Sequence, residues 1–194
     1  ETEVGEVSPD GSSVLIAGIN GYARVLSATA ADDRSKDIEL LTARDSTVQD
    51  VAWHPRGNTA LLMGGGGLAL RYDTFDHGVT FVNDSFSVLG YDLSAVDWRS
   101  AGDYAYVGSE DGTLWKFAEH SGFQSLNSTS TSQITDISCH PNPNYNVCFV
   151  SSLEDGIGVI DRDHKLTWMS GTVTETWVGV ECSDITLNEC VAFA

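Results

Sequence analysis

One pattern of strands and turns recurs five times along the chain, and this repetition constrains the fold more than any single motif. In residues 48–73 (VQDVAWHPRGNTALLMGGGGLALRYD), Val51 and Trp53 alternate with polar or small neighbours. Two Gly-containing turns then separate an apolar run at residues 60–63 from a further segment at 68–72, which predicts three short strands. The pattern recurs at residues 93–118 and 134–161, in a modified form at 4–27, and in a shortened form at 177–194. Internal repetition of this kind shows how a whole chain is built.

The repeats have the length and the strand content of propeller blades. Successive turns lie about 40–46 residues apart, a period typical of blades with four strands. These turns fall at Pro9, Pro55, Ser100, Pro141 and Ser183. An apolar run after each set of three strands predicts the outermost strand of the blade, at residues 38–41, then 79–82 or 86–89, then 123–126 and 166–169. A single sheet cannot bury both of its faces, so we expect neighbouring blades to stack around an axis.

The first two strands of each repeat supply the predicted core. Apolar residues of the innermost strands are expected to be buried between blades, namely Val51, Trp53, Val96, Trp98, Ile137 and Cys139. From the second strands we expect the same of Leu61, Tyr106 and Phe149.

The repeats resemble the blades of WD-repeat β-propellers in a divergent form. WHPRG at residues 53–57 matches the first half of that pattern, and DGTLWKF at residues 111–117 matches the second half. No Gly-His pair precedes the repeats, and Gly5 stands where later repeats carry Val or Ile. The expected fold is therefore all-β, a β-propeller or part of one, with about five repeats of four-stranded antiparallel blades. We expect a single domain over residues 1–194, with repeats at approximately 1–46, 47–92, 93–133, 134–176 and 177–194.

The last repeat is expected to be incomplete, because the sequence stops at Ala194 within its predicted second strand. A half-blade of this kind would leave an apolar sheet edge open, which soluble proteins normally avoid. Two explanations compete. The sequence is a fragment of a longer propeller, which is the favoured explanation, or the missing strands come from another chain or segment.

The chain is strongly acidic, with 28 Asp and Glu residues against 10 Lys and Arg and a net charge of -18. The acids are spread along a sequence that is 41% hydrophobic, which indicates a folded domain rather than a disordered acidic tail. Scarce lysine favours adaptation to high salt, where the self-repulsion is screened; the alternative is an acidic surface that faces a basic partner. The lack of a basic stripe argues against nucleic-acid binding. No apolar run has the length of a transmembrane segment.

The four cysteines fall at matching positions of two repeats. Cys139 and Cys148 flank the first turn of the fourth repeat, and Cys182 and Cys190 flank the same turn of the fifth. Opposed residues on antiparallel strands lie at disulfide distance, so we predict one disulfide in each hairpin and an oxidising, extracellular environment. Four free thiols that fill the core as small apolar side chains are the alternative.

Other motifs in the sequence add little chemistry. The sequons at Asn83 and Asn127 are candidate glycosylation sites, although a chain this rich in Ser and Thr produces such matches by chance. The histidines fall at repeated turn positions, where we interpret them as turn residues rather than as a ring of metal ligands. We expect no bound metal and no cofactor.

The loops at one end of the blades form the predicted binding surface, because the propeller resemblance implies that partners bind there. The candidate partner-binding residues are Asn20, Tyr22, Tyr91, Asp92, Glu110, Asp111, Glu154, Asp155 and Trp177. The aromatic members belong to residue types that are enriched at binding hot spots. Trp177 can equally begin a strand and pack in the core.

We therefore expect a non-catalytic scaffold or recognition module that presents loops to a protein or glycan partner, on a cell surface or in a larger surface assembly. One alternative is a carbohydrate-active enzyme that uses paired carboxylates in a propeller channel, chiefly Asp97 and Glu181. The innermost strands carry such acids repeatedly, at Glu6, Asp50, Asp97, Asp136 and Glu181. A second alternative is a cytoplasmic interaction scaffold of a salt-adapted organism, in which all four thiols are free.

Overall fold

A computed structural model describes residues 4–28, 35, 37–40, 42, 45–82, 84–126, 130–169, 176–182 and 189–194. Within these residues the chain forms 18 β-strands and three short 3-10 turns, at Ile19–Gly21, Gly65–Gly67 and Ser85–Val88. The predicted all-β fold is confirmed. In this described part of the chain, no helix has the length and the apolar character needed to cross a membrane.

Each of the first four repeats folds into one antiparallel sheet, and the four strands of each sheet pair in chain order. The first sheet contains β1 (Val4–Val7), β2 (Ser13–Ala17), β3 (Ala23–Ser27) and β4 (Ile38–Glu39). The second contains β5 (Val48–Trp53), β6 (Thr59–Gly64), β7 (Leu68–Asp73) and β8 (Val79–Phe81). The third contains β9 (Leu93–Trp98), β10 (Ala105–Ser109), β11 (Leu114–Ala118) and β12 (Gly122–Leu126). The fourth contains β13 (Ile134–Cys139), β14 (Cys148–Ser152), β15 (Gly156–Ile160) and β16 (Leu166–Trp168).

The fifth repeat contributes a sheet of two described strands, β17 (Gly179–Cys182) and β18 (Cys190–Phe193). The sheets are thus propeller-like blades, and the last of them is incomplete, as the repeats predict.

In the second repeat, the structure decides between the two apolar runs that competed for the outermost strand. The nearer run forms β8, where Val79 pairs with Tyr72 and Phe81 with Leu70. A tight turn makes this pairing possible, because His77 adopts φ 56° and the Asp73 N–H donates to the carbonyl of Gly78 at 3.0 Å. The farther run becomes the 3-10 turn Ser85–Val88.

The chain divides into two compact units, Glu1–Leu93 and Ser94–Ala194. In the first unit, the facing sides of the first two sheets share a core that includes Leu15, Val25, Val51, Trp53, Leu62, Leu70 and Tyr72. In the second unit, the third and fourth sheets share a core that includes Tyr106, Leu114, Ile134, Ile137, Val150 and Ile160. Burial of these faces removes apolar surface from water, which is the main favourable term in folding.

The predicted core is confirmed at every position but one. The inner-strand residues Val51, Trp53, Val96, Trp98, Ile137 and Cys139 are buried, as are Leu61 and Tyr106. Phe149 was expected to join them, but it is only partly buried. Its side of β14 faces the two-stranded fifth sheet, because its register partner Ser138 accepts a hydrogen bond from Cys182 of that sheet. A sheet with two described strands covers Phe149 less fully than a four-stranded blade would.

Both predicted hairpin disulfides are present. Cys139 and Cys148 are direct register partners on β13 and β14, with Cα atoms 3.9 Å apart. Cys182 and Cys190 pair in the same way on β17 and β18, with Cα atoms 4.0 Å apart. Each bond closes one hairpin at the end of an innermost strand.

We expect all four cysteines to resist alkylation in the unreduced, denatured protein, since every sulfur lies in a disulfide. Intact-mass measurement after iodoacetamide treatment should show no added label without reductant and four added groups after reduction. Labelling of Cys139 or Cys182 before reduction would contradict the pairing.

Candidate functional site

Two types of loop meet at one end of the blades in the first unit. The Gly21 N–H donates to the carbonyl of Ser46 at 3.0 Å, and the Gly65 N–H donates to the carbonyl of Thr47 at 3.0 Å. The Gly67 N–H donates to the carbonyl of Tyr91 at 2.6 Å. These bonds join four loops in series, at residues 18–22, 45–47, 64–67 and 84–92, which we call the first loop platform.

The second unit has an equivalent arrangement at residues 109–113, 130–133, 152–155 and 176–178, which we call the second loop platform. The Ser130 hydroxyl donates to the Asp155 carboxylate at 2.6 Å, and the Leu153 N–H donates to the carbonyl of Gln133 at 3.0 Å. The side chain of Thr135, at the start of β13, donates to the carbonyl of Trp177 at 2.9 Å. In each unit the loops that the sequence assigns to one surface therefore contact one another.

The tetraglycine run explains how the first platform packs so closely. Gly67 has φ +80°, and a Cβ atom there would lie 2.4 Å from the carbonyl oxygen of Val88. Gly66 has φ +66°, and its N–H donates to the Asp92 carboxylate at 2.8 Å. A positive φ favours glycine, and at Gly67 the lack of a Cβ atom also lets the other loop approach closely. The glycines thus allow the loops at residues 64–67 and 84–92 to pack directly against each other.

An apolar pocket of about 110 Å³ opens on the first platform. Glycines 65–67 and Leu68 form part of its lining, together with the side chains of Phe81, Phe86 and Leu89. Phe86 is 84% exposed, Leu89 is 64% exposed and Phe81 is 49% exposed. Large apolar side chains clustered around a concavity in this way are typical of interaction sites. We call this concavity the platform pocket.

The candidate partner-binding residues of the first unit lie on the first loop platform, where they differ in exposure and in the contacts that they make. Asn20 is exposed and adopts φ 55° within a 3-10 turn, and Tyr22 follows it with an exposed ring. Tyr91 is partly buried and contributes its carbonyl to Gly67. Asp92 is exposed, and its carboxylate accepts the hydrogen bond from the Gly66 N–H. Tyr91 and Asp92 therefore hold the platform together as well as bordering its surface.

In the second unit, Glu110 and Glu154 are exposed at the loop tips. Asp111 accepts hydrogen bonds from the Ser109 hydroxyl and from the Thr113 N–H, and Asp155 accepts from Ser130, so both carboxylates structure their own loops. Trp177 is partly buried and contacts Thr135 through its carbonyl. The candidate glycosylation sites Asn83 and Asn127 lie outside the described residues.

Sequence reasoning did not select Phe81, Phe86 and Leu89 as site residues. The available indication was the surplus apolar run in the second repeat. Only one of the runs 79–82 and 86–89 can form the outermost strand, so the other has to lie on a loop. Choosing between them requires the strand register, which the sequence does not show.

The acids of the innermost strands have a structural role in both units. Asp97 accepts the N–H of Trp98 on its own strand at 2.7 Å and the N–H of Cys139 on the next blade at 2.6 Å. Asp136 does the same, with the N–H of Ile137 at 2.8 Å and of Val180 at 2.9 Å. Glu6 likewise accepts the backbone N–H of Trp53 from the next blade. Each of these carboxylates joins the inner edges of neighbouring blades.

Asp136 is the inner-strand acid with a marked shift in acidity. Its pKa is raised from 3.8 to about 6, chiefly by burial and to a smaller extent by the Glu181 charge, while the N–H groups of Val180 and Ile137 oppose the shift. The Glu181 charge therefore acts on Asp136, whereas the sequence singled out Asp97 and Glu181.

The histidines lie in turns and in side-chain contacts. His54 Nδ1 accepts the N–H of Arg56 at 3.1 Å, and His140 Nδ1 accepts the N–H of Asn142 at 3.0 Å. His77 is hydrogen-bonded to Tyr72 at 2.8 Å. Across the described ranges, no group of three or more His, Cys, Asp and Glu side chains is arranged to hold a metal ion.

Comparison with known proteins gives no relative, since no protein-family model and no curated protein matches the chain. The resemblance of the repeats to WD-repeat blades stays a prediction.

Replacing Gly67 by Ala should lower the free energy of unfolding by about 2–4 kcal/mol, because φ +80° is unfavourable for Ala and its Cβ would overlap Val88. Gly65→Ala is the matched control. Its Cβ would lie 3.5 Å from Asp92 Oδ1, an ordinary contact, so the change should stay within about 0.5 kcal/mol. Urea unfolding of both variants tests this, and equal effects would contradict the close packing of the platform.

The stability of the wild-type protein should fall relative to Asp136→Asn as the pH rises from about 4 to about 6. The protonated Asp136 stabilises the fold fully below its unfolded pKa of 3.8, and this contribution is lost as the pH rises through its folded pKa of about 6. Such a difference in pKa corresponds to about 3 kcal/mol. Urea unfolding across this range measures it.

Asp84→Asn, which alters an exposed carboxylate, provides the control and should follow the wild-type pH curve. Hydrogen bonds from the Ser8 hydroxyl and from Ser12 lower the pKa of Asp10 to about 2, so the stability that this group contributes is lost below about pH 4 and not across this range. Parallel curves for wild type and Asp136→Asn would show that Asp136 is not buried as described.

Proposed function

We propose that the chain is a non-catalytic recognition module that binds a protein or surface glycan partner through its loop platforms. The observation that carries this proposal is the first platform, where Phe86 and Leu89 stand exposed around a pocket on a backbone held by hydrogen bonds between loops. Exposed apolar side chains on a rigid surface bind with little loss of conformational entropy. A soluble domain gains nothing from such exposure in the unbound state.

The disulfides support a location outside the cell or on its surface. All four cysteines are paired, and disulfides of this structural kind persist in oxidising compartments. The same pairing weighs against a cytoplasmic scaffold with free thiols. The acidity of the surface fits an external position in high salt and also fits a basic partner.

A carbohydrate-active enzyme remains the alternative from another class. Its acid would be Asp136, whose pKa is raised to about 6, with Glu181 as the second carboxylate. However, both oxygens of Asp136 accept backbone N–H groups, from Ile137 and Val180, so the carboxyl group is already engaged within the protein. Asp97 is engaged in the same way. These contacts favour the binding module.

Ligands selected from a displayed peptide library and from a glycan array should lose binding when a loop platform is altered. Phe86→Ser changes the first platform and Glu154→Arg changes the second. The matched controls, Phe75→Ser and Asp163→Arg, alter exposed residues in turns at the other end of the strands. We expect a loss of tenfold or more for at least one platform variant and less than twofold for both controls.

Binding that responds only to the control variants would contradict the proposal. Hydrolysis of an arrayed glycan that disappears in Asp136→Asn would favour the enzyme instead.

A further inference from the structure

We infer that the platform pocket binds one aliphatic side chain, of about the size of leucine, from a protein segment that carries Lys or Arg on both sides of that residue. This inference rests on the proposed function and adds the chemistry of the partner. It comes from the pocket's lining, its size and the charges at its rim.

The lining and the volume of the pocket define the central residue of the ligand. Phe81, Phe86 and Leu89 present apolar surface, and the glycine backbone leaves the space between them open. An apolar cavity of about 150 Å³ accommodates benzene. The volume of about 110 Å³ is therefore sufficient for one aliphatic side chain but not for a tryptophan. Phe86 is the most exposed of the three, so it loses the most contact with water when the pocket is filled.

Three acidic residues adjoin the lining of the pocket, two of them in the sequence and one through a hydrogen bond. Asp45 precedes Ser46 and Asp84 precedes Ser85, and both serines line the pocket. The Asp92 carboxylate accepts a hydrogen bond from the N–H of Gly66, which belongs to the lining. The sequence has no Lys or Arg in residues 45–47, 64–68 or 81–92. Complementarity with three carboxylates therefore favours cations on both sides of the apolar residue.

The same features favour a protein segment over other ligands. A glycan requires several hydrogen-bonding side chains in the walls, whereas two serines, Ser46 and Ser85, are the polar side chains of this lining beside two phenylalanines, two leucines and glycine backbone. An anionic lipid surface would be repelled by the carboxylates at the rim. A basic segment with one buried aliphatic residue satisfies both the walls and the rim.

The inference is tested with three synthetic peptides. The first has the sequence Ser-Lys-Arg-Leu-Arg-Lys-Ser, the second has Ser in place of Leu, and the third has Glu in place of each basic residue. Their dissociation constants are measured by fluorescence anisotropy at 0.15 M salt. Burial of one leucine side chain should make the first peptide bind about tenfold more tightly than the second. The third should bind at least tenfold more weakly than the first.

Variants of the protein test whether the preference for the Leu peptide over the Ser peptide arises at the platform pocket. Phe86→Ser and Leu89→Ser should reduce the Leu-to-Ser preference to about twofold or less, and both are expected to fold because these side chains are exposed. Phe75→Ser removes a phenylalanine that is 96% exposed on a turn outside the platform and should keep the tenfold preference. Asp84→Asn should weaken both basic peptides two- to threefold and leave their ratio unchanged. At 2 M salt the advantage of the basic residues should shrink while the Leu-to-Ser ratio persists.

A Leu-to-Ser ratio near one in the wild-type protein, or a ratio that Phe86→Ser leaves at tenfold, overturns the inference. A different result would contradict the proposed function. If ligands from the library and the array depend on the platforms while the Leu-to-Ser ratio is one, recognition stands and the pocket assignment falls. If those ligands also ignore the platforms, both fail.

Discussion

The packing of neighbouring blades in this protein depends on hydrogen-bond acceptors for the backbone N–H groups at the free edge of each innermost strand. An innermost strand pairs on one side only, so its outward N–H groups need acceptors from elsewhere. Carboxylates on the same strands supply them, as Asp97 does for Trp98 and Cys139 and as Asp136 does for Ile137 and Val180. One carboxylate thus caps its own strand and binds the next blade. Within each unit, this contact sets the spacing and register at which the apolar faces meet.

Burial of the Asp136 carboxylate at this contact between blades disfavours its charged form, and the pKa of Asp136 shows this cost. Two backbone N–H groups are too few to offset fully the burial of its charge, so its pKa rises to about 6. A raised pKa beside a second acid is also what an acid catalyst needs. The hydrogen bonds decide between these interpretations. A carboxyl group that accepts from two fixed N–H groups is held for structure, and moving a proton to a ligand would break those contacts.

Sequence reasoning succeeded where structure follows from local periodicity. The four-stranded repeats and the hairpin disulfides depend on contacts within one blade, and spacing predicts them directly. The buried inner-strand residues follow from the apolar pattern of each strand. Sequence reasoning failed where contacts with neighbouring elements determine the burial or the role of a residue. The incomplete burial of Phe149 depends on the size of the next sheet, and the role of Asp136 depends on an N–H 44 residues away. The exposure of Phe86 depends on which of two apolar runs joins β7.

The acidic composition has two interpretations, adaptation to high salt and a surface that faces a basic partner, and the first loop platform is relevant to both. At high ionic strength, attraction between surface charges is screened, whereas apolar contact persists and is strengthened by excluded salts. A binding surface built only from carboxylates would therefore bind a basic partner more weakly in high salt. Phe81, Phe86 and Leu89 would avoid this problem in the proposed complex, where the apolar centre would supply affinity and the neighbouring acids selectivity. Salt adaptation and recognition of a basic partner are thus compatible on one surface.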